Sequence, residues 1–262
     1  MPNANRTDML DRALGALIGG ALGDALGMPT QLFTAKEIRD RYGFVEGFVA
    51  PTMDHPVSKG LQAGSITDDT EQTLLLAEVL VNSPAEFDQK RWVAALVEWE
   101  RDVKERGGYD LLGPSTKRAI DLINAGVDPR EAGRGGSTNG AAMRIGPVGI
   151  AIAPSPLTHL IRRVEETTAA THGTHVAISS ASAVAAAISC GVEGKAWLEA
   201  SDLGVEAARL AATDLDASIA VFGTPQEREL AEAMGQGDGV KQGAKARVDG
   251  PPDVPPTSPR PL

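Results

Sequence analysis

Apolar residues recur with helical spacing through most of this chain. Positions 10, 13, 14, 17, 18, 21, 22 and 25 follow the i, i+3, i+4, i+7 rule, which predicts a helix over residues 9–26 that is apolar on most sides and central to the fold. Gly15, Gly19, Gly23 and Gly27 recur every fourth residue in it, so one bare face is expected to admit another backbone closely. Gly27 and Pro29 end the helix. The same periodicity predicts helices over 35–41, from the residues after Thr67 to about 80, and over 87–106, 115–124, 158–171, 176–189 and 205–220. Trp92, Val93, Leu96 and Trp99 share one side of the fourth and read as core. No β-like alternation of useful length occurs, so the fold class is all-α. Residues 1–220 are expected to form one helical domain and 221–262 an atypical tail. From 235 onward, eleven of twenty-eight residues are Gly or Pro and none is aromatic, too little apolar surface to order the segment.

The chemistry concentrates at one helix entrance, Gly64-Ser65-Ile66-Thr67-Asp68-Asp69-Thr70-Glu71-Gln72. Taken alone, Asp68-x-x-Glu71 reads as a capping-box-like start whose acids complement the helix dipole. Two adjacent carboxylates beside hydroxyls are also hard oxygen ligands suited to Mg²⁺ or Mn²⁺. Asp24 is a second anomaly, a carboxylate in an apolar helix that must be hydrogen-bonded, metal-linked or solvent-facing.

A third block, Gly133-Arg134-Gly135-Gly136-Ser137-Thr138-Asn139-Gly140, precedes a helical run. Backbone N–H groups at such a start could cradle a pyrophosphate, but the block is neither a Walker loop nor a Rossmann fingerprint. His172 and His175 stand three apart at another helix entrance; His172 is the better candidate for touching substrate, and capping or a core hydrogen bond suits His175. His55, in the long irregular connection over 42–60, reads as a surface histidine or as part of a site entrance.

A net charge of −10 argues against nucleic-acid and anionic-membrane partners. Cys190, the single cysteine, allows no intrachain disulfide and fits a cytoplasmic location, and its apolar surroundings predict a buried thiol. The apolar run over 13–23 is too short to span a bilayer and lacks the basic flank of a signal peptide.

Together, Gly19-Gly20-Ala21-Leu22-Gly23-Asp24-Ala25-Leu26-Gly27-Met28-Pro29, the Thr67 block and Gly136-Ser137-Thr138-Asn139-Gly140-Ala141-Ala142-Met143-Arg144 resemble the ADP-ribosylglycohydrolase family in order and spacing. The resemblance runs from about Leu10 to about Ala220. It implies an orthogonal helix bundle holding two Mg²⁺ or Mn²⁺ ions and hydrolysing the glycosidic bond of an ADP-ribosylated protein side chain or a small ADP-ribose conjugate. By the same resemblance Thr67, Asp68 and Asp69 are metal ligands, and Asp68 and Asp69 are the catalytic carboxylates. Gly136, Ser137, Thr138, Asn139, Gly140, Met143 and His172 then bind substrate. Two departures stand out. Gln31 occupies a position where many relatives carry a glutamate, and an amide cannot act as a general base. The family's second motif, Gly-Asp-x-Asp-Thr, is missing; Asp214-Leu215-Asp216 has the acids without the glycine, which is expected to reflect truncation, a shifted reading frame or divergence. A catalytically silent relative that binds ADP-ribose or a nucleotide, or is merely structural, is the alternative expectation.

Overall fold

The computed structural model describes residues 2–83, 86–107 and 112–222, with side chains described within 6–212. Among them are eleven helices and no strand, the all-α class expected. They are α1 Pro2–Gly27, α2 Ala35–Tyr42, α3 Asp68–Asn82, α4 Gln89–Glu105, α5 Pro114–Asn124 and α6 Pro129–Gly133. α7 Gly140–Arg144, α8 Gly146–Ala151, α9 Leu157–Thr168, α10 His175–Val192 and α11 Trp197–Phe222 complete the order. The chain divides into two units, Met1–Leu215 and Asp216–Leu262, and of the second only the end of α11 is described. The tail from 235, expected to be disordered, lies outside the described residues.

The central helix is α10 rather than α1. Its Ala/Ser-rich sequence presents little bulk, so α1, α7, α8 and α9 all pack against it, and Ala181, Ala185 and Ala186 are fully buried. By length and composition α10 could cross a membrane, but half of it is buried inside this bundle. Cys190 sits near its end, 2% exposed. The main core joins Leu76 and Val79 of α3, Trp92 and Leu96 of α4, Ile120 of α5, Ile145 and Val148 around α8, and Leu160 and Val164 of α9. Trp99, Val103 and Leu112 form a smaller cluster beside it. Helical periodicity therefore placed Trp92, Leu96 and Trp99 in the core, whereas Val93, expected beside them, is only half-buried.

The expectation for α1 is corrected. Only one side of it meets the bundle, against α3, α8 and α10: Arg12 Nε donates to Val192 O at 2.7 Å, and Ala25 and the following Met28 are buried there. Leu10, Leu14, Ile18, Leu22 and Leu26 are between 41% and 62% exposed, and a Cβ added at Gly15, Gly19, Gly23 or Gly27 would meet nothing within 4 Å. The glycine face admits no partner helix among the described residues. The periodicity correctly marked a helix, but an all-round apolar pattern cannot say which side is covered.

The 42–60 connection is tied down by side chains. Tyr42 Oη donates to Pro29 O at 2.9 Å and accepts Thr52 N–H at 3.0 Å, and Arg41 Nη1 donates to both carboxylate oxygens of Asp54 at 2.7 Å. His55 is neither a surface residue nor a wall of the cleft described below. It is 1% exposed; Nδ1 accepts the N–H groups of Val57 and Ser58, and Nε2 donates to Gln31 O at 3.1 Å. Its imidazole organises the loop and, through Gln31, the exit from α1.

Candidate active site

Three elements converge on the end of α1. There, the Asp24 carboxylate accepts Thr67 N–H at 2.8 Å, Thr67 Oγ1–H at 2.7 Å, Thr70 N–H at 3.2 Å and Thr70 Oγ1–H at 2.6 Å. This is the structural hydrogen-bonding role among those open for Asp24. An external carboxylate at the start of α3 satisfies backbone donors that lack intrahelical partners. Thr67, not Asp68, is the N-cap of α3, and its hydroxyl also accepts Asp69 N–H at 3.3 Å.

The capping-box-like reading of Glu71 is also corrected. Glu71 turns away and forms a bidentate pair with Arg106 at 2.9 and 3.0 Å while accepting Trp99 Nε1–H at 2.8 Å. It fastens α3 to α4, and leaves Asp68 and Asp69 as the acids at the helix mouth.

Those two carboxylates line a cleft of about 260 Å³ with Gln31, Leu32, Val57, Thr138, Asn139, Gly140 and Met143, and with Leu112, Gly113, Pro114 and Thr116 at the start of α5. A second cleft of about 410 Å³ adjoins it, sharing Gln31, Asp69, Asn139 and Met143 and adding Asp24, Thr67 and the glycines of α1. Burial, then the neighbouring charges of Asp69 and Asp24, push Asp68 up to about 7. Burial and then Asp24 push Asp69 up to about 6. Among the described residues Asp68 receives one long side-chain contact, from Gln72 Nε2 at 3.5 Å, and the Asp69 carboxylate receives none. Two under-solvated, mutually repelling carboxylates beside a hydroxyl oxygen are a donor set that a hard divalent cation fits. No group of three or more acid, His or Cys side chains suited to a metal occurs among the described residues, so the set is partial.

The glycines of the third block owe their presence to packing as much as to any ligand. A Cβ on Gly133 would lie 1.8 Å from Ala169 O, and one on Gly136 1.9 Å from Thr171 O. Gly173 N–H donates to Gly133 O at 2.8 Å and Thr174 Oγ1–H to Gly136 O at 2.7 Å. The block is laced to the turn before α10. Thr174, rather than His175, caps that helix. The following helix α7 is only five residues long, so the cradle expected at its start is a single turn. Thr138, Asn139, Gly140 and Met143 reach the cleft, whereas Gly136 lies against the turn and Ser137 is not among the lining residues.

His172 stands behind the loop, fully buried, with Nε2 3.0 Å from Thr138 Oγ1 and Nδ1 2.8 Å from Thr171 Oγ1. Burial, with Arg144 and Arg118 nearby, pushes it down to about 3, so the ring is neutral. It meets the cleft through Thr138. Gln31 faces the same cleft and donates its amide to Ser58 Oγ at 2.7 Å, which orients it without giving it a basic site. Leu32 beside it has φ 66°, a left-handed conformation costly for a branched side chain and found where a turn is shaped for a site. Gln72 and Arg144 stand inside the blocks that carry the family resemblance but had no role of their own there, and sequence pattern gave no sign of Leu32 or Thr171. The only available signal was that Arg144 closes an otherwise apolar, small-residue run.

Helices α1, α3 and α7 therefore define an all-α protein with an acidic, oxygen-rich cleft at a helix start. The model of the ADP-ribosylglycohydrolase family matches residues 5–255, and the chain belongs to that family. The matched span reaches past Ala220, where the motif resemblance ends; the side chains of Asp214 and Asp216 lie outside the described ones. A protein of Archaeoglobus fulgidus is 37% identical over 186 residues, 70% of this chain and 57% of that one. The ADP-ribosylarginine hydrolase Tri1 of Pseudomonas putida is 33% identical over 153 residues, 54% of this chain and 36% of that one. The chain thus spans less than two thirds of these relatives. Among solved structures, an ADP-ribosylglycohydrolase-related protein complex is similar, with TM-score 0.58 and 26% identity over 76% of this chain and 64% of that one.

Proposed function

We propose that this chain is a Mg²⁺- or Mn²⁺-dependent hydrolase of the glycosidic bond between ADP-ribose and a protein side chain. The observation that carries the reading is the Asp68–Asp69 pair, pushed up to about 7 and 6 and facing the cleft lined by Thr138 to Gly140. The likeness to an ADP-ribosylarginine hydrolase supports an ADP-ribosylated side chain as the substrate class.

Thr67, Asp68 and Asp69 would hold the cation, which supplies Lewis-acid polarisation of a ribose hydroxyl or a water. Asp24 keeps Thr67 in place by accepting its hydroxyl hydrogen bond, so the Thr67 oxygen, which also accepts Asp69 N–H, keeps one lone pair for the cleft. Water adds its oxygen to the anomeric carbon as the bond to the side-chain nitrogen or oxygen breaks, an oxocarbenium-like process. The attacking water's proton passes to whichever of Asp68 and Asp69 keeps a carboxylate oxygen free of the cation. The same carboxyl returns that proton to the departing nitrogen or oxygen, so one water is divided between the two products. Gln31 can orient water but cannot accept its proton.

The test is release of free ADP-ribose from an ADP-ribosylated arginine peptide with Mg²⁺ or Mn²⁺, compared with chelator and with Asp68→Ala and Asp69→Ala. Metal-dependent release abolished in both variants supports the reading. Release that survives both substitutions sinks it. Gln31 and the partial ligand set favour a second reading, a silent binder. ADP-ribose binding without release from any linkage would support that one.

A further inference from the structure

A continuous chain of buried polar groups runs from the acidic pair to the glycine-rich loop, and its direction is fixed by one residue that can only donate. Arg144 is fully buried, its guanidinium 5.2 Å from the centre of the Trp92 ring. Burial lowers it only to about 10, so it remains a cation, and its Nε has no hydrogen-bond partner. A buried charge held at that cost implies that its remaining contacts matter.

On one arm, Arg144 Nη1 donates to Gln72 Oε1 at 2.7 Å. That assigns the oxygen of the amide, so Gln72 Nε2 is the atom turned to Asp68 Oδ2, at 3.5 Å. On the other arm, Arg144 Nη2 donates to Thr171 Oγ1 at 2.6 Å. Thr171 is fully buried, and the acceptor within reach of its own hydroxyl proton is His172 Nδ1, at 2.8 Å. His172 then carries its proton on Nε2 and donates to Thr138 Oγ1 at 3.0 Å. Thr138 lines the cleft, and with its oxygen already accepting, its hydroxyl proton is left for whatever occupies the cleft. The opposite tautomer would strand the Thr171 proton in a dry interior and draw the Thr138 proton back to His172, away from the cleft.

We propose that Arg144 and Thr171 are positioning residues that hold His172 in its Nε2–H form, so that Thr138 donates to an acceptor oxygen of bound ADP-ribose while Gln72 donates to Asp68. The ligand rests on the function proposed above; the tautomer does not. Neither Arg144 nor Thr171 lines the cleft, so both act through other residues.

The experiment is nitrogen-15 NMR of histidine-labelled full chain, with His172 assigned by its loss in His172→Asn, and titration with ADP-ribose in Mg²⁺. Wild type, Thr171→Val and Thr171→Ser are compared. The expected result is an Nε2–H His172 in wild type, a mixed or reversed tautomer in Thr171→Val, and affinity for ADP-ribose weakened about five- to tenfold, the worth of one hydrogen bond. Thr171→Ser should restore both readouts, which a merely structural role would not require. An Nδ1–H tautomer in wild type overturns the inference, and so does a Thr171→Val variant with tautomer and affinity unchanged. If Thr171→Val fails to fold, the wild-type tautomer decides alone. Wild type that binds no ADP-ribose overturns the function reading, while the pair of spectra still decides whether Thr171 sets His172.

Discussion

Asp24 and Thr67, 43 positions apart, are joined twice: Oδ2 of the carboxylate takes the Thr67 N–H at 2.8 Å and Oδ1 takes its hydroxyl proton at 2.7 Å. The last turn of α1 thereby fixes the first turn of α3, the place where the acidic pair begins. Asp24→Ala should cost about 2–4 kcal/mol, because four donors lose one charged acceptor. Thermal or urea unfolding measures that cost. Asp24→Asn retains the size but sets amide hydrogens against donors, so it should recover little. Both variants should also weaken Mg²⁺ binding by calorimetry. Unchanged Mg²⁺ affinity in a folded Asp24→Asn would separate the α1 contact from the metal site.

The acidic pair also sets a pH dependence. A carboxylate held near 7 in the folded chain, against an ordinary value of 3.8, binds its proton more tightly folded than unfolded. Below about 4 both states keep the proton and nothing is lost. Between about 4 and 7 the unfolded chain releases it first, so the contribution of Asp68 to stability falls as pH rises and levels off above 7. Asp69 acts in the same direction, with its window ending near 6. Without metal, melting temperatures of wild type should fall from pH 5 to pH 8 by more than those of an Asp68→Asn/Asp69→Asn double variant. Added Mg²⁺ competes with these protons, so its stabilising shift should be larger at pH 8 than at pH 5.

Much of this site was legible because its residues are contiguous. Thr67, Asp68 and Asp69 follow one another, and Thr138 to Gly140 sit in one glycine-marked block, so local pattern brought out both. What joins them is not local. Arg144 reaches Gln72 across 72 positions and Thr171 across 27, contacts that no helical period predicts. The misreadings have the same origin. Hydropathy marked α1 as apolar throughout but could not tell its covered side from its open one. His55 looked like a lone loop histidine because its partners are backbone groups, which sequence does not display.

Glycines of the two glycine-rich stretches should respond in opposite ways to alanine. Gly136→Ala places a methyl 1.9 Å from Thr171 O, a backbone atom that cannot swing aside. Overpacking of this kind costs roughly 1–3 kcal/mol or more, and here it would push the Thr138 loop off His172 as well. Gly19→Ala in α1 meets nothing within 4 Å and should gain about 0.5–1 kcal/mol from helix propensity. Chemical unfolding of the two variants measures both signs. A destabilised Gly19→Ala would mean that the bare face of α1 is covered by something beyond the described residues.

Glu71 provides the complementary test, an acid in the metal-like motif whose contacts are structural. Its carboxylate spans Trp99 Nε1 and both terminal nitrogens of Arg106, and its side chain is 27% exposed, so part of this network is shielded from water. Glu71→Ala leaves the Trp99 N–H without its acceptor and frees Arg106, which should cost about 1–2 kcal/mol. Glu71→Gln keeps an acceptor for Trp99 and loses the ion pair, so about half that cost should return. Because the Glu71 carboxylate points to α4 and not into the cleft with Asp69, Mg²⁺ affinity in folded Glu71→Gln should stay within about twofold of wild type, a difference of some 0.4 kcal/mol. A loss as large as that of Asp68→Ala, read by calorimetry under the same conditions, would place Glu71 among the ligands and require α3 to rotate on binding metal.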